Sequence, residues 1–189
     1  MEFESRFPQV RMVVRQVATR PNVIAAVQSG DADIGLCSLK CDTPPEGLHA
    51  EPVYDLEVVL LVPHGHPLAR VRIRWEHFAQ YPLLNVRGIY ADWGISSALE
   101  QVGAFQHPER RVELEMARSI RLYVRNGLGI GIVVRPKGMK SDADLIERPL
   151  NHLVTEPMKM FAFYRTRVAP DPALLDFLQV VRETLSSNK

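Results

Sequence analysis

Apolar residues in this chain come in short runs whose spacing separates strands from helices. Residues 56–63, LEVVLLVP, are apolar at almost every position, as expected of a strand buried on both faces. Residues 9–18, QVRMVVRQVA, are rich in β-branched residues and also suit a strand. Thr19 then offers an N-cap and Pro21 sits at the start of a helical turn. Val23, Ile24 and Val27 recur at helical spacing before Gly30 closes the helix. With the apolar run 33–39, DIGLCSL, this predicts a strand–helix–strand unit.

The same reading continues downstream. Gly65 and Pro67 break the chain at 64–69, a short helical stretch covers 75–79, and 82–86 is a further apolar strand. Ile95, Leu99 and Val102 mark a helix over 93–102. A half-buried strand at 111–115, a helix at 119–126 and an apolar strand at 129–134 follow. After a polar connection with Pro149 and Pro157, residues 158–164 read as a strand. A last helix starts at Asp171 and Pro172, its stripe formed by Leu174, Leu175, Leu178 and Val181. Strands alternating with short helices predict an α/β fold with mainly parallel sheets. The break near 63 and the return near 155 predict two lobes with a cleft suited to ligand capture.

Composition narrows the function. The chain has 189 residues, 46% of them hydrophobic, and 23 basic against 22 acidic residues give a formal net charge of +1. That balance excludes a broad electrostatic footprint for nucleic acid. No apolar run is long enough to cross a membrane, and the opening MEFESR has no secretory character. A cytoplasmic location is expected. Cys37 and Cys41 are separated by three residues, which is not the redox spacing, and read as small, partly buried thiols.

The motif candidates mostly resolve into structure. Gly127, Gly129 and Gly131 follow a helix and open a strand, the reverse of a dinucleotide loop, so they predict a helix stop and a close helix–sheet approach. Asp31 and Asp33 follow a helix-closing glycine, where turn formation accounts for them. His64 and His66 flank Gly65 in a loop and read as a surface turn rather than a metal pair. Arg70, Arg72 and Arg74 lie on one face of an extended stretch and can meet an acidic partner, with a solvated edge as the simpler reading. No metal, cofactor or catalytic group is predicted.

Three segments occur together in order: SGDADIGL at 29–36, VPHGHPLA at 62–69 and VRNGLGIGIV at 124–133. With FPQVR at 7–11 and FLQVVR at 177–182, the chain resembles the effector-binding domain of LysR-type transcriptional regulators over nearly its whole length. The resemblance implies two Rossmann-like α/β lobes of the periplasmic-binding-protein type joined by two crossover strands. Lobe I would take residues 1–62 plus 158–189, and lobe II residues 63–157. A small organic effector, often an anion, would bind in the inter-lobe cleft and change a DNA-bound oligomer formed through lobe I.

Ligands of open parallel sheets sit beyond the carboxyl ends of strands. The residues there are Cys37, Ser38, Asn85, Arg87, Arg118 and Val134. Arg87 and Arg118 offer a bidentate fork for a carboxylate, Ser119 a hydroxyl donor, and Tyr90 and Trp93 an aromatic wall. Helix starts near 93 and 119 would add N–H groups for an anion.

Two departures from the family pattern matter. No DNA-binding helix-turn-helix is read in this chain, so DNA contact would come only through an N-terminal domain outside it. Residues 1–7 match only the tail of the family's first helix, so the strand before that helix is missing from lobe I. This favours, as alternatives, a truncated interaction module pairing with a full-length regulator. A stand-alone solute-binding protein is the other alternative, against which the lack of an export signal counts, and an enzyme ranks last for want of a catalytic motif.

Overall fold

The computed structural model describes residues 2–17, 19–38, 44–86, 94–106, 111–114, 117–139, 141, 143–154, 156–166 and 172–186. The chain divides into two compact units. One comprises Met1–Asp55, Pro136–Met139 and Met158–Lys189; the other comprises Leu56–Arg135 and Lys140–Pro157.

The first unit holds helix α1 (Glu2–Arg6), helix α2 (Arg20–Ser29) and strand β1 (Gly35–Ser38). It also takes the first half of the long strand β2 (Leu48–Val62), all of β7 (Met158–Arg165) and helix α5 (Pro172–Ser186). Thr19 caps α2 by accepting from the Asn22 N–H. Gly30, at φ 87°, ends the helix in the left-handed conformation. Its buried face carries Val27, which packs with Leu48, Phe161 and Phe163. Gly35 permits the close approach of α2 to β1: a Cβ there would stand 2.6 Å from Val23 Cγ1 and 2.9 Å from Val27 Cγ2. β1 pairs antiparallel with β7, Gly35 opposite Phe163 and Ser38 opposite Met160. Arg165, at the end of β7, donates to the carbonyls of Val27 (2.8 Å) and Ala32 (3.0 Å) and so closes the C-terminal end of α2.

The expected strand at 9–18 is a correction. Residues 11–17 have no regular structure, and Val13 and Val14 are 62% and 78% exposed. Ala18 lies outside the described residues. β-branched composition suits a strand only where a neighbour completes the ladder, and this segment has no place in the sheet order. The strand–helix–strand unit therefore reduces to α2 and β1.

The second unit holds the end of β2, strands β3 (Leu83–Val86), β4 (Arg111–Leu114), β5 (Ile130–Pro136) and β6 (Ile146–Pro149), and helices α3 (Ile95–Gln101) and α4 (Ala117–Arg125). Residues 67–69 and 75–79 form 3₁₀ turns. The strand order is β2-β5-β3-β4, with β6 on β2. β3 runs parallel to both β4 and β5, whereas β6 is antiparallel to β2. The sheet is thus mixed rather than mainly parallel, and β6 is a strand within what reads as a polar connection. The core consists of Val59, Leu61, Leu84, Ile120, Val124, Val133 and Leu145. The glycine run does what its order predicts. Gly127 (φ 75°) stops α4, and a Cβ on Gly131 would run into the Ile120 and Val124 side chains of that helix.

Candidate functional site

The parallel register of β3 and β4 sets the site geometry in the second unit. Asn85 stands opposite Glu113 and Val86 opposite Leu114, so both strands end at the same edge of the sheet. Helix α4 begins at Ala117, just past that edge, and Ile120 and Val124 seat it on Leu84. Its first turn presents backbone N–H groups without intrahelical partners, which suits an anion. Ser119 is half-buried in that turn.

Two boundaries differ from the sequence reading. The helix starts at 117 rather than 119, so Ser119 lies inside the first turn. β5 continues to Pro136, so the half-buried Val134 is within the strand and not at its end.

Asn85 lies in β3, and Arg118 in α4 beside Ser119. Cys37 and Ser38 close β1 in the first unit, both half-buried. Arg87, Tyr90, Trp93 and Cys41 lie outside the described residues. The structure therefore brings Asn85, Arg118 and Ser119 to one edge. Cys37 is a free thiol, and burial pushes its pKa up to about 11 against a weaker opposing pull from Arg20.

Sequence reasoning missed the most buried polar cluster. Arg135 donates from Nε to Glu57 Oε1 at 3.0 Å and from Nη1 to Glu147 Oε2. Arg121 donates to the other Glu147 oxygen at 2.5 Å. The Glu147 side chain is 1% exposed and Arg135 11%. Through Glu57 and Glu147, the two guanidiniums thus tie β2, β5, β6 and α4 together. The available signal was Glu57, a lone charge in an apolar strand, which must have a partner.

The remaining motifs are structural. His64 donates from Nε2 to the Ala143 carbonyl at 3.0 Å. His66 Nδ1 accepts from the Leu68 N–H at 3.2 Å, and burial lowers its pKa, consistent with a neutral acceptor ring. Asp31 accepts from Ser29 Oγ at 2.8 Å within the turn after α2. An open cavity of about 320 Å³ in the first unit is lined by Gln28, Glu46, Gly47 and Arg165, but Arg165 is taken up by the carbonyls of Val27 in α2 and Ala32 after it. Among the described residues, no group of three or more His, Cys, Asp or Glu is placed to hold a metal ion. Also among them, no helix is long and apolar enough to cross a membrane.

The model of the LysR substrate binding domain matches residues 1–186. The HTH-type transcriptional regulator Cbl of Escherichia coli K12 is 32% identical over 154 residues, covering 80% of this chain and 48% of Cbl. CysB of Haemophilus influenzae, also an HTH-type regulator, is 27% identical over 165 residues, covering 85% of this chain and 49% of CysB. The chain thus spans about half the length of these relatives. Among solved structures, the cofactor-binding domain of Cbl superposes with a TM-score of 0.72 at 27% identity. That match covers 96% of this chain and 79% of the other. The reduced OxyR regulatory domain of Pseudomonas aeruginosa has the same score at 16% identity, with 96% and 87% covered, and shares the fold. These matches identify a two-lobed, periplasmic-binding-protein-like α/β fold, and the chain belongs to the LysR substrate-binding domain family.

Proposed function

We propose that this domain senses a small organic anion and converts its binding into control of transcription, without chemical turnover. The family match over 1–186 carries the reading, and the first turn of α4 beside the ends of β3 and β4 supports it. The similar Cbl domain is described as cofactor-binding. The proposed ligand contacts are Cys37, Ser38, Asn85, Arg87, Tyr90, Trp93, Arg118, Ser119 and Val134. Within this set, helix N–H groups and the Ser119 hydroxyl neutralise the anion, and arginine forks orient a carboxylate.

Lobe I is assigned to 1–62 plus 158–189 and lobe II to 63–157. In the whole protein, DNA contact belongs to a helix-turn-helix segment and homo-oligomer contacts to lobe I. A cytoplasmic location goes with that role. Thermal melting against a panel of small carboxylates, sulfate and phosphate tests the proposal. A binding anion at about a hundred times its Kd adds about 2.7 kcal/mol of stability and is recovered unchanged. A panel with no shift, or consumption of the anion, would count against it.

A further inference from the structure

Helix α4 meets the rest of its unit in two ways. Ile120 and Val124 lie in the core with Leu84, close over Gly131, where a Cβ would come within 2.3 Å of Ile120 Cγ2. That contact fixes the distance of the helix from the sheet. Apolar packing is non-directional, so by itself it defines rotation about the helix axis and sliding along it only weakly. Two ion pairs supply the direction. Arg121 and Arg125 are one turn apart and reach the segment that leads into β6. Arg121 Nη1 donates to Glu147 Oε1 at 2.5 Å, and Arg125 Nη2 stands 2.9 Å from Asp144 Oδ2.

The two pairs are unequal. Arg125 and Asp144 are 47% and 60% exposed, and such a pair is weak. The Glu147 side chain is 1% exposed, its second oxygen accepts from Arg135 of β5, and its backbone lies opposite Leu61 of β2. Glu147 is therefore a fixed point set by two strands. Arg121, four residues after the first residue of α4, is tied to it by a charge-assisted bond with a preferred direction.

We infer that Arg121 and Glu147 are positioning residues for the ligand edge. They set the rotation and axial position of α4, and so the aim of the N–H groups of residues 117–119 and of the Ser119 hydroxyl, without touching the ligand. The inference rests on the anion-sensing reading above. An anion held by several donors at once is sensitive to their aim, because hydrogen bonds weaken steeply as they bend. A binding constellation works only within roughly 10–20° of its productive geometry.

Calorimetric titration of the full chain with sulfate, phosphate, acetate and succinate, then amide exchange with the tightest of the four as probe, tests this. Arg121→Met removes the tie but leaves Glu147 paired with Arg135, so the fold is kept. Glu147→Gln, which leaves one acceptor oxygen for two guanidiniums, is the second variant. Each should weaken the probe about tenfold. At saturating probe, protection of amides 117–120 should stay below the wild-type level. Arg125→Met, which removes only the exposed pair, and Arg165→Met, in the other unit, should stay within about twofold and reach wild-type protection at saturation. Wild-type affinity in both R121M and E147Q, or an equal loss in R165M, overturns the inference and leaves the sensing reading standing. Full protection at saturation in R121M does the same, since a role in stability alone would give it. If the wild-type chain binds none of the four anions, or binds without protection at 117–120, the sensing reading falls and the inference with it.

Discussion

Arg135 Nη2 stands 3.0 Å from Glu57 Oε1, and the two residues lie just where β5 and β2 pass out of the second unit, whose segments end at Arg135 and begin at Leu56. The same guanidinium binds Glu147 on β6. One side chain therefore ties together three strands that come from distant parts of the sequence. Arg135→Met strips two buried carboxylates of the guanidinium between them. The expected loss is about 3–5 kcal/mol, read as a lower urea midpoint at unchanged slope. A loss below about 1 kcal/mol would place the cluster with ordinary surface pairs.

Arg165 makes a comparable tie in the first unit, where it closes α2 through two carbonyls. Arg165→Met should cost about 2 kcal/mol. It should also speed amide exchange through the last turn of α2 while leaving α4 unaffected. Equal exchange in both helices would show that Arg165 does not act locally.

Gly131→Ala places a methyl group against Ile120 and Val124. The expected cost is about 1–3 kcal/mol from overpacking. Gly47→Ala is the contrast: its φ of 76° strains any side chain, but no atom lies within 4 Å, so the cost is limited to about 1 kcal/mol. Thermal melts of the two variants separate crowding from backbone strain.

Cys37 should be a slow nucleophile. With its pKa raised by burial from 9.0 to about 11, the thiolate at pH 8 is about a hundredfold scarcer than for an unperturbed thiol. Iodoacetamide labelling in a Cys41→Ser background should be correspondingly slow and rise steeply toward pH 11. The linkage has a definite sign: the folded state holds the proton more tightly. Its stabilising contribution is complete below pH 9 and is lost as the pH rises from about 9 to about 11. Fast labelling at pH 8 would mean that the thiol is not buried as described.

The strand and helix pattern was legible wherever apolar periodicity and caps agreed. Thr19, Pro21 and Gly30 bounded α2, and the apolar run to Val62, interrupted at Glu57, gave the buried half of β2. Two errors had one cause. Residues 9–18 carried strand composition without a neighbour, whereas β6, IERP, carried no strand composition yet found one in β2. Pairing partners are distant in sequence, and β6 is held by the buried Glu147 rather than by an apolar face. The order of the motifs indicated the family. That order did not indicate the ion cluster, whose members Glu57, Arg121, Arg135 and Glu147 lie far apart in the chain.

An anion bound as proposed settles on the first turn of α4. Amide hydrogen exchange of the chain, with and without the anion that most raises its melting temperature, tests this most directly. Protection at residues 117–120 should exceed any general slowing, and in Ser119→Ala it should shrink with a loss of affinity of about fivefold. Stabilisation by the anion with no added protection at 117–120, equal in wild type and Ser119→Ala, would contradict it.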